Sequence, residues 1–324
     1  SNLQTIDSSK FIDHTALSRA AVSVVERLCS NDYSAFIVGG AVRDLLLGKR
    51  PKDFDVATNA TPEQIVVLFR GSRIIGRRFQ IVHVRMGREI IEVTTFRGHH
   101  DEGVPQTAVK SQKGLLLRDN VYGTLDQDAA RRDLTINALY LDPLNKQILD
   151  DLDGIEDIRQ QLVRIIGDPV TRYSEDPVRM LRVVRFAAKL GFSVEKSSQA
   201  AISQCRHLLA DIPAARLFDE TLKLFMAGFA APTIEHLAKH GLLEPLFPEA
   251  ISAMNDPSSR ELIRKAMANT DGEYNNSSRM TEPQANFIDG KCQQLNIDVE
   301  AFFEEVFDAN VKRKVTKIQA SDAI

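Results

Sequence analysis

Apolar residues recur at helical spacing across residues 17–30 (LSRAAVSVVERLCS), a pattern that predicts an entry helix. A short apolar run from Ala35 to Val38 stops at Gly39-Gly40, and helical spacing resumes over 41–47. A strand entering a double-glycine turn and then a helix is therefore expected, an arrangement that binds phosphate in many folds. Thr61-Pro62-Glu63-Gln64 has the composition of a helix start, with Thr at the N-cap, Pro at the first helical position and Gln closing a capping box. Two strand-like runs, 80–86 and 89–95, flank Gly87-Arg88 and read as a hairpin. Residues 98–114 are polar and glycine-containing and predict a loop. From Thr124 onward helical signals dominate. Asp168-Pro169 and Asp176-Pro177 punctuate the start of a long helix ending near Gly191, and further helices are expected at about 197–209, 213–227, 230–240 and 259–269. The pattern divides the chain into an α/β head (1–145), a neck (146–195) and a helical body (196–324).

Composition adds limits. A chain of 324 residues with 43% hydrophobic and 26% charged positions has the make-up of an ordinary soluble globular protein of two or three domains. No apolar run reaches the roughly 18 residues of a membrane span and no signal peptide is visible, so a cytoplasmic protein is expected. Cys29, Cys205 and Cys292 are few, scattered and odd in number, which suits free thiols in a reducing compartment. The net charge of −3 does not by itself suggest nucleic-acid binding, but basic residues cluster locally: Arg70, Arg73, Arg77, Arg78, Arg85, Arg88 and Arg97 stand against Glu89 and Glu92. A patch of that kind attracts a phosphate backbone without reading its sequence.

The chemistry is concentrated at Asp53-Phe54-Asp55. In a strand, residues two apart face the same way, so Asp53 and Asp55 are expected to present their carboxylates together. Glu92 sits on the hairpin's second strand among Ile90, Ile91 and Val93, where a carboxylate is costly unless it meets a charge or a metal. Hard cations such as Mg²⁺ take oxygen ligands, and three converging carboxylates are what two-metal nucleotidyl transfer requires. Asp-x-Asp alone is a common surface pattern; its position about a dozen residues after the strand–Gly-Gly–helix turn favours the catalytic reading.

The string Gly39-Gly40-Ala41-Val42-Arg43-Asp44-Leu45-Leu46-Leu47-Gly48, followed by Lys52-Asp53-Phe54-Asp55, resembles the nucleotidyltransferase (polymerase beta-like) head of class II tRNA CCA-adding enzymes and bacterial poly(A) polymerases. Three further motifs follow in order. Arg131-Arg132-Asp133-Leu134-Thr135-Ile136-Asn137-Ala138 resembles the family's ribose-reading motif, DDLDGIEDI (150–158) its hinge motif, and Glu175-Asp176-Pro177-Val178-Arg179 its base-selecting motif. In the hinge motif Asp153 stands where the family usually has glycine, and Asp tolerates a left-handed backbone better than most residues.

The resemblance implies an α/β head with a small mixed sheet, followed by all-helical neck and body domains. It implies that Asp53 and Asp55 hold two Mg²⁺ ions with Glu92 assisting, and that Gly39, Gly40, Arg43, Arg132, Asp133, Asn137, Asp176, Arg179, Arg182 and Arg185 bind the nucleotide. The residue chemistry agrees: Asp133 can accept from a ribose 2′-hydroxyl, and a neighbouring guanidinium can clamp a triphosphate in bidentate fashion. Asp176 and Arg179, three apart, are placed on one helix face, where acceptor and donor could read a base edge or form a simple ion pair. Glu175 is expected to orient Arg179. Arg182 and Arg185 continue the row at steps of three.

Ile74-Ile75-Gly76-Arg77-Arg78-Phe79-Gln80-Ile81-Val82-His83-Val84 resembles the poly(A) polymerase branch, as do Leu115-Leu116-Leu117-Arg118-Asp119-Asn120 and Asp211-Ile212-Pro213-Ala214-Ala215-Arg216-Leu217. The expectation is a monomeric, Mg²⁺-dependent polymerase adding AMP from ATP to RNA 3′ ends, with Arg77 and Arg78 touching RNA. A CCA- or A-adding tRNA enzyme is the alternative within the same chemistry, and an RNA-binding protein with an inactive head the alternative outside it. The match fades after about residue 275, where the basic stretch Val311-Lys312-Arg313-Lys314-Val315-Thr316-Lys317 reads as a solvated helix face or a reduced RNA grip. His236 and His240 lie four apart without the glutamate of a zinc protease motif and are read as ordinary histidines.

Overall fold

The computed structural model describes residues 3–76, 80–98, 122–248 and 250–276. Arg77 and Arg78, the Leu115–Asn120 motif and the basic stretch at 311–317 lie outside the described residues. The chain divides into two compact units, Ser1–Gly167 and Asp168–Ile324.

The first unit is built on one mixed sheet. Its elements run β1 (Gln4–Asp7), α1 (Arg19–Cys29), β2 (Ala35–Val38), α2 (Gly40–Leu46), β3 (Asp55–Thr58), α3 (Pro62–Leu68), β4 (Arg73–Ile75), β5 (Ile81–Met86), β6 (Glu89–Thr95), α4 (Leu125–Arg131), β7 (Leu139–Asp142), β8 (Gln147–Asp150) and α5 (Gly154–Arg159). The strand order is β1-β8-β7-β2-β3-β6-β5-β4. The β3–β6 pair is parallel and its neighbours are antiparallel.

Local sequence explains the helices. In α1, Ser18 caps the start by accepting from Ala21 N, and Ala21, Val24, Val25 and Leu28 form the buried stripe that the spacing predicts. In α3 both bonds of the Thr61/Gln64 capping box form, with Pro62 in the first turn. Alternation then assigns each strand two faces. Ile37, Val56, Val82, Val84, Ile91, Val93, Leu139, Leu141 and Ile148 join the stripes of α1 and α2 in the main core. On the opposite face, Val38, Ala57, Phe96, Ala129, Ala138, Tyr140 and Ile166 form a smaller core with Phe36 against it.

The sheet runs past residue 145, where the sequence pattern ends the head, because β8 pairs with both β1 and β7. β7 and β8 are four-residue strands joined through Pro143-Leu144-Asn145-Lys146, with Asp142 accepting from Leu144 N and Asn145 N. The stretch at 146–167 is therefore part of the sheet unit rather than a helical neck. Within it, Asp150 is buried and accepts from Gly154 N and Ile155 N, which anchors α5. Asp153 adopts the left-handed conformation, φ 56° and ψ 31°.

The second unit is mostly helical: α6 (Pro169–Glu175), α7 (Val178–Leu190), α8 (Lys196–Cys205), α9 (Ala214–Phe225), α10 (Ala230–Lys239), α11 (Leu243–Leu246), α12 (Ala250–Asn255) and α13 (Pro257–Asn276). It also holds one two-residue extended segment, Ser193–Val194. In α7, Val178, Met180, Leu181, Val183, Val184, Ala187 and Ala188 are buried, and Gly191 ends the helix at φ 69°. The N-terminus of α10 is capped from another helix, Asp271 accepting from Ala230 N and Ala231 N. Among the described residues no helix is long and apolar enough to cross a membrane.

Gly154 is the tightest backbone approach in the hinge motif. A Cβ there would be driven into the Thr135 carbonyl oxygen and would lie 3.1 Å from Leu139 Cδ2. Gly154→Ala is therefore expected to destabilise the first unit by about 2 kcal/mol or more. Urea denaturation should read this as a lowered midpoint at unchanged slope, and an unchanged midpoint would refute the packing argument.

Candidate active site

The sheet register builds the site. Val38, the last residue of β2, pairs with Asp55, the first residue of β3, and Asp55 pairs with Glu92 in β6. Val38 also pairs with Tyr140 in β7, and Glu92 with His83 in β5. Tyr140, Val38, Asp55, Glu92 and His83 thus form one row across the sheet, on the face opposite the main core. Immediately after Val38, Gly39 turns at φ 73° and ψ −135°, a backbone region open essentially to glycine alone, and α2 starts at Gly40. The strand–glycine–helix turn and the carboxylates are adjacent because β2 and β3 are neighbours.

Asp55 and Glu92 face each other across the parallel pair. Asp55 keeps a solvent-exposed edge, yet its carboxyl is pushed up to about 6. The crowding of protein around it is the largest cause, the charge of Glu92 the second; Arg132 pulls the other way, and Asp53 adds a smaller upward push. Glu92 is half exposed, with His83 Nε2 3.3 Å from its Oε1. Asp53 precedes the strand, which begins at Asp55, so the same-face argument from strand alternation does not apply to it. Among the described residues no group of three His, Cys, Asp or Glu side chains is gathered closely enough to hold a metal ion, and that includes His236 and His240, whose rings simply stack. The donor set nevertheless fits a hard dication: it supplies carboxylate oxygens, and a cation would offset the burial and the Glu92 charge that together raise the Asp55 carboxyl.

Arg132 stands beside this pair and is fixed by a network that the sequence motifs did not single out. Its Nε donates to Tyr140 Oη at 3.0 Å and its NH2 group to Asp128 Oδ2 at 3.1 Å, while Tyr140 Oη donates to the same carboxylate oxygen at 2.6 Å. Asp128 Oδ1 accepts from Arg97 N. Asp128 and Tyr140 are both buried, and burial leads the causes that push the Tyr140 hydroxyl's pKa upward. The one legible signal for Asp128 is an acidic residue on the helix whose last turn carries Arg131, one turn ahead of Arg132.

Arg43 and Asn137 have different surroundings from those the motif suggests. Arg43 is buried; its guanidinium donates to Asn137 Oδ1 at 2.6 Å and, from Nε and NH2, to Asp44 Oδ1. The Asn137 carbonyl accepts from Arg132. These two residues tie the glycine turn to the Arg132 segment. Asp133 is part-buried and accepts from Leu134 N.

The remaining candidates belong to the second unit. Asp176 is the C-cap of α6, in extended conformation, and α7 begins only at Val178, so Asp176 and Arg179 do not share one helix. Arg179 donates to Glu175 Oε2 at 2.8 Å and to the Arg172 carbonyl, the Glu175 contact that the sequence suggests. Asp176 Oδ2 instead accepts from Arg216 at 2.8 Å, and its Oδ1 is buried without a hydrogen-bond partner among the described residues. Arg182 and Arg185 lie part-buried along α7, with Arg185 over the Phe186 ring.

Comparison with known proteins agrees with this architecture. The family described as the poly A polymerase head domain matches residues 35–164, and one described as a probable RNA and SrmB-binding site of polymerase A matches 191–254. The chain is 53% identical over 260 residues to poly(A) polymerase I of Haemophilus influenzae, covering 78% of this chain and 57% of that protein. It is 47% identical over 274 residues to poly(A) polymerase I of Escherichia coli O6:H1, covering 83% and 59%. The chain thus spans less than two thirds of the length of these curated relatives. The CCA-adding enzyme of Geobacillus stearothermophilus is 36% identical over 222 residues, covering 68% of this chain and 53% of the enzyme. Among solved structures, the Bacillus stearothermophilus CCA-adding enzyme in complex with CTP superposes with a TM-score of 0.64 at 31% identity, covering 78% of this chain and 62% of that one.

The Asp55–Glu92 contact gives a stability prediction. A carboxyl raised from 3.8 to about 6 on folding contributes stability that is present below pH 4 and lost as pH rises through about 6. Asp55→Asn removes that loss. In EDTA the variant is expected to be more stable than the parent at pH 8, by about 1 kcal/mol once solvent screening is allowed for, and indistinguishable from it below pH 4. Urea denaturation at the two pH values reads the difference, and equal stability at pH 8 would count against a raised Asp55 carboxyl.

Proposed function

The chain belongs to the family of bacterial poly(A) polymerases and CCA-adding enzymes, and from that premise we propose that it is a template-independent polynucleotide adenylyltransferase. It transfers AMP from ATP to RNA 3′ ends: the 3′-oxygen attacks the α-phosphorus, the bond to the β-phosphate breaks, and pyrophosphate leaves. The observation that carries this reading is the in-register pair Asp55–Glu92, flanked by the Gly39 turn and by a fixed Arg132.

Asp53, Asp55 and Glu92 are the residues that would hold two Mg²⁺ ions, whose chemistry when bound is to activate the 3′-hydroxyl and to stabilise the leaving pyrophosphate. Arg132 presents its guanidinium to the triphosphate, and Gly39 and Gly40 leave room for phosphate oxygens at the turn. Arg43 and Asn137 act indirectly, by holding that turn against Arg132. Asp133 accepts from the ribose 2′-hydroxyl. Asp176 and Arg179 select adenine, with Glu175 orienting Arg179 and with Arg182 and Arg185 extending the positive row. Arg77 and Arg78 add to the basic surface that RNA meets. The protein is proposed to work as a cytoplasmic monomer.

The higher identity to poly(A) polymerase I, 53% and 47% against 36% for the CCA-adding enzyme, supports ATP and unstructured RNA as substrates. Extension of an unstructured RNA with Mg²⁺ and each nucleoside triphosphate in turn is expected to give a long ladder with ATP alone. Two C residues and one A, added only to a tRNA lacking its end, would assign the CCA reading instead. Asp53→Ala and Asp55→Ala should each lower the extension rate by at least about 10³-fold with far-UV circular dichroism unchanged. A near-normal rate in either variant would remove the assignment.

A further inference from the structure

The sheet's second face is covered over only half its width. Phe36, Phe96, Tyr140 and Ile166 cover it around β2 and β7, whereas among the described residues no buried apolar cluster lies over β4, β5 and β6. Val82, Val84, Ile91 and Val93 point into the main core. Alternation therefore turns Ile81, His83, Arg85, Ile90 and Glu92 to the open side. Ile90 is 59% exposed and Ile75 44%, and Arg73 and Arg85 are exposed beside them.

The row of the catalytic carboxylates continues along this face. Glu92 pairs with His83, and His83 with Arg73, so Asp55, Glu92, His83 and Arg73 lie in line over roughly 14 Å at the usual strand spacing. Arg85 pairs with Ile90 in the neighbouring row. The acids in the row are Asp55 and Glu92. Glu89, which could have neutralised the edge, faces the other way and accepts from Ser18 Oγ at 2.6 Å. Charge along the row thus changes from anionic at the carboxylates to cationic at the sheet edge. Arg132, the group aimed at the triphosphate, lies on the opposite, β7 side of Asp55 through its bond to Tyr140.

We propose that the open face of β4, β5 and β6 seats the last nucleotides of the RNA, with phosphates on Arg73 and Arg85, bases against Ile75 and Ile90, and the 3′-hydroxyl delivered to Asp55 and Glu92. The proposal rests on the adenylyltransferase reading. It follows from charge and direction: a polyanion must bring its terminal hydroxyl to two carboxylates, and on this side of them the described residues of the face offer Arg73 and Arg85 and no further acid. Two exposed isoleucines, Ile75 beside Arg73 on β4 and Ile90 opposite Arg85 on β6, suit a single strand, whose bases are free to lie on apolar surface. On this arrangement the nucleotide and the RNA approach Asp55 from opposite sides, as in-line displacement requires.

The test uses the full chain with a 5′-fluorescein-labelled single-stranded oligo(A) RNA. Arg73→Ala combined with Arg85→Ala should weaken binding without ATP by about tenfold and flatten the slope of log affinity against log salt by about 1.4, the loss of two single-strand phosphate contacts. The KM for RNA should rise to match while the KM for ATP stays within about twofold. Arg159→Ala, an exposed control on α5, should change none of these. An RNA ending in 4-thiouridine should photo-crosslink within residues 73–94, a readout on the unmutated protein. Unchanged RNA affinity, KM and salt slope in the double variant, or crosslinks confined elsewhere, would overturn the proposal. So would concentration-dependent self-association abolished by Ile90→Ser, which would assign the face to a second copy. If the parent protein extends no RNA with ATP, the adenylyltransferase reading fails, while the binding and crosslinking results still decide the face.

Discussion

Everything in the first unit is arranged around two like charges held opposite each other. Asp55 and Glu92 are partners in the parallel pair of the eight-stranded sheet, and backbone hydrogen bonding, not side-chain preference, sets their separation. Left alone the pair is unfavourable, and the Asp55 carboxyl is raised by burial first and by the charge of Glu92 second. The main core on the other face of the sheet must hold the strands in register against it, which fits the complete burial of Val56, Val82, Val84 and Val93 directly behind the row. Sites built on this principle give up stability for function, because the repulsion that costs stability is what attracts a dication.

The same pairing shows how far the chain could be read in advance. Short-range signals carried through: the helical spacing of α1, the Thr61 cap, the glycine turn after β2, the β5–β6 hairpin and the Gly191 stop all depend on residues within a turn or two of one another. The left-handed backbone at Asp153 belongs to the same class. The carboxylate pairing does not. Glu92 reaches Asp55 through a parallel connection that includes α3, β4 and β5, and no local periodicity encodes it. Asp53 lies two residues before β3 begins, so strand alternation does not reach it, although its charge acts on Asp55.

Two further features were hidden for physical reasons. β1, β7 and β8 have only four residues each and exist because they pair with one another, so their intrinsic signal is weak beside the helical patterns around them. Asp176 and Arg179 look like an i,i+3 helical pair, but Pro177 forces a break between α6 and α7 and sends Asp176 to Arg216 instead. Asp176 of the base-selecting motif thus has its partner forty positions away, whereas Arg179 is held locally by Glu175 and the Arg172 carbonyl. The motif names both residues, but the geometry of Asp176 comes from a tertiary contact.

The Arg132 network follows from the same electrostatics. A guanidinium free to turn toward Asp55 would pair with it, neutralise the carboxylates and compete with any dication for their oxygens. Asp128 and Tyr140 remove that freedom: one carboxylate oxygen accepts from both Arg132 and the Tyr140 hydroxyl, and the hydroxyl accepts from Arg132 in turn. Three buried or part-buried polar groups satisfy one another, which offsets the cost of burying Arg132. Its effect on Asp55 is smaller than that of burial or of Glu92. An arginine standing beside two carboxylates needs an acid of its own, and here Asp128 is that acid.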